Sequence, residues 1–275
     1  MGARILLTND DGIESLGIAV LRHALEGLGT VTTIAPTHNS SAVARSITIH
    51  RPLHLRPVTF SHGYAGVSCD GTPADCVRVG FLGLEGPLPD IVVSGINLGP
   101  NLGSDVTYSG TVGAAFEAAV RGLPGIAFSV NGRLPGWLEQ AAPLVRRIVK
   151  MVLARGLPPS SILNVNLPDL PLSEIVGIRP ARLGGASCHD RVFLTGDGDG
   201  HVPLAVPSAP VARDPLASRA CAPGRSDSGA QEMAIDFDVV AEGFVAVTPL
   251  RYDLLDEAFL CELGSWDLDL ERVHV

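Results

Sequence analysis

The sequence has few charged and few aromatic residues, and its cysteines are scattered. Charged side chains make up 18% of the 275 residues and aromatic side chains 5%, whereas hydrophobic residues reach 46%. A chain of this composition can bury a sizeable core, which argues against extensive disorder. The five cysteines are odd in number and include no CxxC pair. They predict neither a disulfide framework nor a zinc site, and they indicate a reducing compartment.

Long basic runs and long apolar runs are also missing. The formal net charge is −9 and there is no Lys/Arg run, so a nucleic-acid duplex is a poor candidate for the main partner. No apolar span reaches 18 residues, and the N-terminal MGARILLTNDD is unlike a signal peptide. We therefore predict a cytoplasmic protein without a membrane partner. An acidic protein that handles phosphate would need a metal ion or oriented backbone amides.

Strand and helix patterns alternate through the first two thirds of the chain. Short apolar runs predict strands in RILLT, VTTIAP, PDIVVSGIN, GIAFSV and ILNVNLP. Helical spacing predicts helices between them, one of which Gly29 is expected to end. Thr72, Pro73 and Asp75 form a capping pattern at the start of another helix. The pattern predicts a Rossmann-like α/β fold, a mostly parallel sheet with helices on both faces and ligands near the carboxyl ends of the strands.

Two further segments have a different character. The stretch SITIHRPLHLRPVTF alternates like a strand and predicts a hairpin or an extended excursion. Residues 183–233 are rich in Gly, Pro, Ser and Ala, which predicts an extended arm. The stretch AIDFDVVAEGFVAVTPL then predicts two strands around Glu242-Gly243. We therefore expect a core of residues 1–180 and a C-terminal arm and β-hairpin region of residues 181–275.

Oxygen-bearing side chains follow three of the predicted strands. Asp10 and Asp11 follow the first strand, and carboxylates there suit a hard divalent cation. They equally suit a turn or a helix cap, because Asp-Gly is a strong turn signal. Asn39, Ser40 and Ser41 follow the second strand, and Asn97 ends the third. Since the carboxyl ends of parallel strands share one edge of the sheet, one common site is more probable than three unrelated loops.

A glycine-rich loop, GPNLGSDVTYSG, leads from the third strand to a helix that is predicted to start near Thr111. Unpaired N–H groups and the helix dipole converge at a helix N-terminus, so this loop is a candidate anion site. The loop is not a Walker loop, because the GxxxxGK[ST] pattern is missing. A surface loop with conformational glycines is the alternative interpretation.

These motifs together closely resemble the SurE family, the stationary-phase survival proteins that act as 5′/3′-nucleotidases. The resemblance is carried by ILLTNDDGIESLGI, APTHNSSA, GTPADCV, PDIVVSGINLGPNLGSDVTYSGTVGAAFEAA and GFVAVTPL, in that order. It is dense from residue 4 to about residue 130 and sparse afterwards. By this resemblance we expect one divalent metal ion per subunit, Mg²⁺ or Mn²⁺, held by Asp10, Asp11, Ser41 and Asn97. It also implies a phosphate and substrate region made of Asn9, Asn101, Ser109, Gly110 and Thr111.

Some positions depart from the family pattern. Where family members commonly carry basic residues, this chain has Thr37-His38-Asn39-Ser40 and Leu98. His38 or Arg45 is the candidate substitute for the missing positive charge. In the C-terminal half, Asp214-Pro215 is kept without the aromatic residues that usually follow it.

The resemblance implies a divalent-metal-dependent phosphomonoesterase that releases phosphate from nucleoside 5′- or 3′-monophosphates through activated water, with Asp10 and Asp11 as catalytic residues. A phosphatase for another phosphorylated metabolite or a short polyphosphate is one alternative, and a non-catalytic nucleotide-binding protein is another. A covalent aspartyl phosphate is disfavoured, since the DxDx[TV] motif would need an acid at Gly12. The family also implies a homodimer or a homotetramer.

Overall fold

A nine-stranded sheet organises the part of the chain that the computed structural model describes, which is residues 2–82, 87–132, 136–185 and 233–266 with the backbone of 191–192 and 204–205. The strands are β1 (Ala3–Thr8), β2 (Gly29–Pro36), β3 (Leu55–Phe60), β4 (Tyr64–Cys69), β5 (Ile91–Leu98), β6 (Gly125–Val130), β7 (Ser161–Leu167), β8 (Gly177–Pro180), β9 (Arg191–Val192), β10 (Leu204–Ala205) and β11 (Phe244–Arg251). The helices are α1 (Leu16–Ala24), α2 (Pro73–Leu82), α3 (Gly110–Val120), α4 (Ala142–Arg155), α5 (Asp236–Ala241) and α6 (Glu257–Leu263). No helix in these ranges is long and apolar enough to cross a membrane.

The strand order creates a crevice beside the first strand. The order is β3-β4-β2-β1-β5-β6-β7-β11-β8, and the pairings are parallel except β3 with β4 and β11 with β7. β1 pairs with β2 on one side and with β5 on the other. The strands that follow β1 in the chain therefore lie first on one side of it and then on the other, so the strand order reverses at β1. In such folds ligands bind at this switch point, outside the carboxyl ends of the strands. The predicted mostly parallel sheet is confirmed.

Helices cover both faces of the sheet, as the sequence predicts. Ile5 and Leu7 of β1 pack in a core cluster with α1 and α4, while Leu6 packs in a second cluster with α2 and α3. Successive side chains of a strand point to opposite faces, so β1 contributes to both cores. The resulting burial on two sides holds the end of β1 in a well-defined position.

The predicted start of α2 is confirmed at atomic detail. The N–H of Asp75 donates to Oγ1 of Thr72 over 3.1 Å, and the N–H of Thr72 donates to Oδ2 of Asp75 over 3.0 Å. This reciprocal pair is a capping box in which aspartate replaces the usual glutamate. The carboxylate of Asp75 also accepts the N–H of Thr48, at 3.1 Å to each oxygen, so the same cap anchors the preceding loop.

Three local expectations are wrong or incomplete. α1 ends at Ala24 rather than near Gly29, which instead opens β2. Within the predicted excursion only β3 is a strand, and it pairs antiparallel with β4. Around Glu242-Gly243 the structure has the helix α5 followed by the single strand β11, not two strands. Acidic residues in the first turn of α5 interact favourably with the helix dipole. This interaction favours a helix even though the apolar residues alternate as in a strand.

β11 returns the C-terminal region to the sheet. It lies between β7 and β8, antiparallel to β7 and parallel to β8. The predicted arm of residues 183–233 lies largely outside the described residues, as does Asp214-Pro215. Within that stretch the backbone of β9 pairs antiparallel with the backbone of β10.

Candidate metal and phosphate site

Hydrogen bonds join the loops that follow β1 and β2. The N–H of Ile13 donates to the carbonyl of Pro36 over 2.8 Å, and the N–H of Ser40 donates to the carbonyl of Asp10 over 2.7 Å. The segments that follow β1 and β2 therefore lie side by side. This brings the Asp10-Asp11 pair beside the 37–41 loop, as the sequence predicts from the shared edge of the sheet.

Asp10 is a buried carboxylate, 3% exposed, that is held by the first turn of α3. The N–H of Thr111 donates to its Oδ2 over 3.1 Å, and the hydroxyl of Thr111 donates to its Oδ1. Burial raises the pKa of Asp10 to about 6, opposed by the Thr111 hydroxyl and reinforced by the negative charge of Asp11. The side chain thus has a fixed orientation, and in the folded protein its negative charge is destabilised.

Asp11 is half-buried and is bonded to β5 and to the loop that follows β2. Its Oδ2 accepts the N–H of Leu98 over 3.2 Å, and its Oδ1 accepts Nδ2 of Asn39 over 3.3 Å. Burial raises the pKa of this carboxyl as well, while the Leu98 N–H lowers it. Asp10 and Asp11 lie in the bend after β1, and their carboxylates are bonded to different elements, Asp10 to α3 and Asp11 to β5 and the 37–41 loop.

The turn at Gly12 is stabilised by Asn9. Gly12 has a φ of +99°, a conformation that favours glycine. Nδ2 of the buried Asn9 donates to the carbonyl of Gly12 and to Oγ of Ser15, both over 2.8 Å. Oδ1 of Asn9 is buried and has no hydrogen-bond partner among the described residues. Asn9 therefore shapes the turn that carries Asp10 and Asp11, and its predicted contact with phosphate stays a prediction.

A bulge in β5 precedes Asn97. The pairing of β5 with β6 shifts between Ser94 and Asn97, and Gly95 has a φ of +124°. A Cβ atom on Gly95 would lie 2.3 Å from the carbonyl oxygen of Phe128, so glycine is needed there. Bulges beside functional sites commonly redirect a side chain. Nδ2 of Asn97 donates to the carbonyl of Gly99 over 2.8 Å. This bond orients the side-chain amide so that its oxygen, Oδ1, points away from Gly99.

Ser41 lies on the exposed part of the loop that follows β2. Its N–H donates to Oδ1 of Asn39 over 2.9 Å, and Asn39 in turn donates to Asp11. Asn39 thereby links the loop to the aspartate pair. The predicted ligand role of Ser41 stays a prediction, as do those of Asp10, Asp11 and Asn97.

The N-terminus of α3 is occupied partly by side chains of the protein itself. Ser109 caps the helix, since its Oγ accepts the N–H of Val112 over 3.1 Å. The N–H of Thr111 is bonded to Asp10. The helix dipole therefore acts on the Asp10 carboxylate directly, and only part of the anion site expected from the glycine-rich loop is free for a phosphate. The phosphate roles of Ser109, Gly110 and Thr111 stay predictions.

A buried polar network holds Asn101. Its N–H donates to Oδ1 of Asn166 over 2.8 Å, and its Nδ2 donates to Oγ of Ser129 over 2.7 Å. Its carbonyl accepts Nδ2 of Asn164 over 2.8 Å and Nδ2 of Asn166 over 2.9 Å. These partners of Asn101 are not among the residues predicted from the sequence. A signal existed, because Asn164 and Asn166 are two residues apart in an apolar strand and therefore share one face.

The donor set fits a hard divalent cation. Asp10 and Asp11 form no ion pair with any Lys, Arg or His among the described residues, so their negative charges lack a basic partner. Those residues include no group of three or more His, Cys, Asp or Glu side chains that could hold a metal ion by themselves. Two carboxylates completed by neutral amide and hydroxyl oxygens suit Mg²⁺ or Mn²⁺ and do not suit zinc.

The two candidate substitutes for basic residues lie in different surroundings. The guanidinium of Arg45 lies 5.3 Å from the centre of the Phe116 ring and 6.0 Å from that of Tyr252, so it stacks on aromatic faces. The backbone of His38 lies next to Gly12, where an added Cβ would meet its carbonyl carbon at 3.3 Å, and His38 is exposed. His38 therefore lies beside the turn that follows the aspartate pair.

A family model settles which group of proteins shares this arrangement. The model described as Survival protein SurE matches residues 5–190, which is more than half of the chain. The chain belongs to the SurE family. The resemblance that the motifs indicate is thus confirmed, and the match includes most of β1, all of β2 to β8 and every predicted site residue.

Relatives within the SurE family are similar over nearly their whole length. The 5′-nucleotidase SurE of Rubrobacter xylanophilus is 44% identical, with 96% of this chain and 97% of the relative covered. The 5′-nucleotidase SurE of Coxiella burnetii strain Dugway is 39% identical, with 98% and 96% covered. The crystal structure of the SurE protein from Aquifex aeolicus has a TM-score of 0.77 at 40% identity, covering 95% of this chain and 98% of that one. The Rossmann-like fold is therefore shared.

Proposed function

We propose that this SurE-family protein is a divalent-metal-dependent 5′/3′-nucleotidase, which hydrolyses the phosphomonoester of a nucleoside monophosphate. The observation that carries the proposal is the aspartate pair at the switch point of the sheet, which has no basic partner among the described residues and lies between the 37–41 loop, β5 and the N-terminus of α3. Relatives that carry the name 5′-nucleotidase, covered over nearly their full length, support the same activity.

In this proposal Asp10, Asp11, Ser41 and Asn97 hold the cation, with Mg²⁺ or Mn²⁺ as the expected ion. When bound, such an ion supplies positive charge that polarises a phosphoryl group and makes water more acidic. The chain itself supplies orientation. Each oxygen of Asp10 and of Asp11 already accepts one hydrogen bond. Because Asp10 is buried and Asp11 is only half-buried, Asp11 is the better placed of the two to reach a water molecule and accept its proton.

The substrate phosphate is expected on the α3 side of the pair. Gly110 approaches Asp10 closely, and the glycine-rich loop runs from Asn101 through Ser109 into the helix. Helix N-termini and loop amides stabilise negative charge on phosphate oxygens during transfer. Because the N–H groups of Thr111 and Val112, and the N–H and Nδ2 groups of Asn101, already have partners, the backbone of Gly110 carries most of this expected role.

Phosphate release tests the proposal. AMP, 3′-AMP, a sugar phosphate and tripolyphosphate are incubated with the protein in Mg²⁺, Mn²⁺ or EDTA, and free phosphate is measured. We expect release from a nucleoside monophosphate that needs the metal and that Asp10→Ala abolishes, whereas Glu174→Ala, at an exposed carboxylate, does not. Tight nucleotide binding without release under any divalent ion would indicate a non-catalytic binding protein. Release only from the other substrates would indicate a retargeted phosphatase.

We further propose that residues 1–180 form the catalytic core and that residues 181–275 contribute to a homodimer or a homotetramer. α6 supports this, since none of its residues is buried and Phe259, Leu260 and the nearby Trp266 are each about half exposed. Large exposed apolar side chains commonly mark interaction surfaces. A monomeric mass at micromolar concentration in light scattering would contradict it. The cytoplasmic location stays a prediction from the sequence.

A further inference from the structure

Three segments of the chain meet at the carboxylate of Asp236. Its Oδ2 accepts the N–H of Gly103 over 2.8 Å, and its Oδ1 accepts the N–H of Gly184 over 2.8 Å and that of Phe237 over 3.0 Å. Gly103 belongs to the glycine-rich loop, Gly184 lies just beyond β8, and Phe237 is in α5. The side chain is completely buried, at 0% exposure.

Burying this carboxylate is costly, which makes a mere packing role a poor explanation. Burial raises the pKa of Asp236, and the three N–H groups that it accepts lower it. No Lys or Arg among the described residues forms an ion pair with it. A buried charge persists in a fold where hydrogen bonds compensate for the lost water, and every bond to this carboxylate from the described residues comes from a backbone N–H.

The backbone around Asp236 also leaves no space for side chains. A Cβ atom on Gly103 would lie 2.2 Å from the carbonyl oxygen of Gly185 and 2.7 Å from the Phe237 ring, and Gly103 has a φ of +51°. A Cβ atom on Gly184 would lie 2.5 Å from the same ring. The N–H of Ser104 donates to the carbonyl of Gly185 over 3.4 Å. The C-terminal region and the glycine-rich loop are therefore in direct backbone contact.

The clamped loop leads straight to the site. Two residues before Gly103, Asn101 is bonded to β6 and β7 through Ser129 and Asn166. After Gly103 a short 3-10 helix runs to Thr107, and Ser109 then caps α3 beside Asp10. The loop is thus anchored to the sheet at Asn101 and to the C-terminal region at Gly103.

We infer that Asp236 is a positioning residue, through which the C-terminal region holds the glycine-rich loop in the geometry that receives the substrate phosphate. The inference rests on the proposed function and extends it. Asp236 acts through Gly103 and the loop, and none of its described contacts involves Asp10, Asp11, Ser41 or Asn97. Phosphate affinity should therefore depend on Asp236, whereas affinity for the metal alone should not.

Asp236→Asn tests this, because the amide keeps the shape but presents an NH₂ group to a backbone N–H. We measure three quantities for the variant and the parent protein: the rate of amide hydrogen exchange, the affinity for Mn²⁺ alone and the affinity for inorganic phosphate in the presence of Mn²⁺. We expect faster exchange across residues 99–109 and phosphate binding weaker by about tenfold, the factor that matches one charge-assisted hydrogen bond. Mn²⁺ affinity stays within about twofold, the scatter expected for an uninvolved site.

Two controls accompany this variant. Glu242→Gln removes an exposed carboxylate just after α5, which pairs with Arg179 at 2.6 Å, and should leave all three measurements unchanged. Gly103→Ala disturbs the contact between Gly103 and Asp236 by adding a methyl group on the loop side, and it should reproduce the loss of phosphate affinity. Gly122→Ala is its matched control, because Gly122 has a φ of +77° but an added Cβ meets nothing within 4 Å.

The outcomes separate the inference from the proposed function. Faster loop exchange with unchanged phosphate affinity would leave Asp236 a structural residue only and overturn the inference. A parallel loss of Mn²⁺ affinity, or no phosphate binding by the parent protein, would overturn it too. If the parent protein binds phosphate with Mn²⁺ but releases none from any nucleotide, the proposed function fails, while the binding measurements still decide the role of Asp236.

Discussion

Gly110 and Asp10 lie so close that a Cβ atom on Gly110 would stand 2.9 Å from Cβ of Asp10 and 3.1 Å from its Oδ2. The same atom would meet Cγ of Pro73, in α2, at 3.2 Å. The first residue of α3 is therefore glycine because a side chain there would collide with Asp10 and Pro73, and not because of its backbone angles. This contact links the glycine-rich motif to the aspartate motif, which are 100 positions apart in the numbering.

Gly110→Ala should displace the Asp10 carboxylate. Overpacking at such a contact costs about 1–3 kcal/mol of unfolding free energy. We expect Mn²⁺ affinity to fall by about tenfold or more, which is the effect of losing about 1.4 kcal/mol of binding free energy. Calorimetric titration with Mn²⁺ measures this. Gly264→Ala is the control, because Gly264 has a φ of −64° and its nearest neighbour lies 3.4 Å away. Unchanged Mn²⁺ affinity in Gly110→Ala would show that Asp10 does not bind the ion.

Asp11→Asn should stabilise the metal-free protein while removing its response to metal. The negative charge of Asp11 raises the pKa of Asp10, so the two carboxylates repel in the fold. In EDTA we expect the Tm to rise by about 1–3 °C, as relief of about 1 kcal/mol implies for a chain of this size. Added Mn²⁺ should raise the Tm of the parent protein but not that of the variant. Glu14→Gln, an exposed carboxylate nearby, should behave like the parent. A full metal response in Asp11→Asn would contradict the proposed site.

Asn166→Ala should weaken both the fold and the site loop. It leaves the buried N–H of Asn101 without its acceptor and removes one of the two donors to the Asn101 carbonyl. We expect a loss of about 2–3 kcal/mol in urea unfolding, the usual cost of unsatisfied buried groups, together with reduced phosphate release. Asn131→Ala, at an exposed asparagine after β6, should cost less than about 0.5 kcal/mol, as surface changes do. Equal losses for the two variants would contradict the role of the network.

Asp70→Asn should change the acid stability of the β3-β4 hairpin. Asp70 accepts the N–H of His54 over 2.8 Å and pairs with the Arg51 guanidinium at 2.7 Å, and these contacts hold the pKa of its carboxyl well below the usual range. A lowered pKa stabilises the fold above the unfolded-state value of about 4 and loses that effect as the pH falls further. The variant should therefore have a lower Tm than the parent at pH 7, and the gap should close toward pH 2.

A gap that stays constant between pH 7 and pH 2 would contradict this. Glu174→Gln, an exposed carboxylate in the short 3-10 helix before β8, is the control and should follow the parent protein at every pH.

Much of the fold can be predicted from local patterns. The apolar runs of β1, β2, β5, β6 and β7 and the capping box at Thr72 and Asp75 appear where the sequence indicates. The strand β11 is also confirmed, and β7 and β8 bond to it from both sides. The misjudged segment is α5, a helix whose residues alternate like a strand. Local propensity cannot show which partner a segment will find.

The candidate site divides in the same way. Asp10, Asp11 and Asn97 can be selected from the sequence, because each follows a strand that the apolar pattern identifies. Asn164, Asn166 and Asp236 could not be connected to them, since their partners lie 52 to 133 positions away in the chain. Hydrogen bonds of this range depend on the register and order of the strands, which no local window contains.

The sequence by itself determined the parallel α/β architecture, the edge at which the polar side chains collect and the hard-oxygen chemistry of that edge, since these follow from periodicity and residue type. Only the tertiary structure decided how those side chains are used. It showed that the N–H of Thr111, at the N-terminus of α3, donates to Asp10, and that Asn9 stabilises the turn at Gly12 with a buried hydrogen bond. It also showed that Asp236 bonds the C-terminal region to the glycine-rich loop. These roles depend on close approach between distant segments, and packing alone sets such distances.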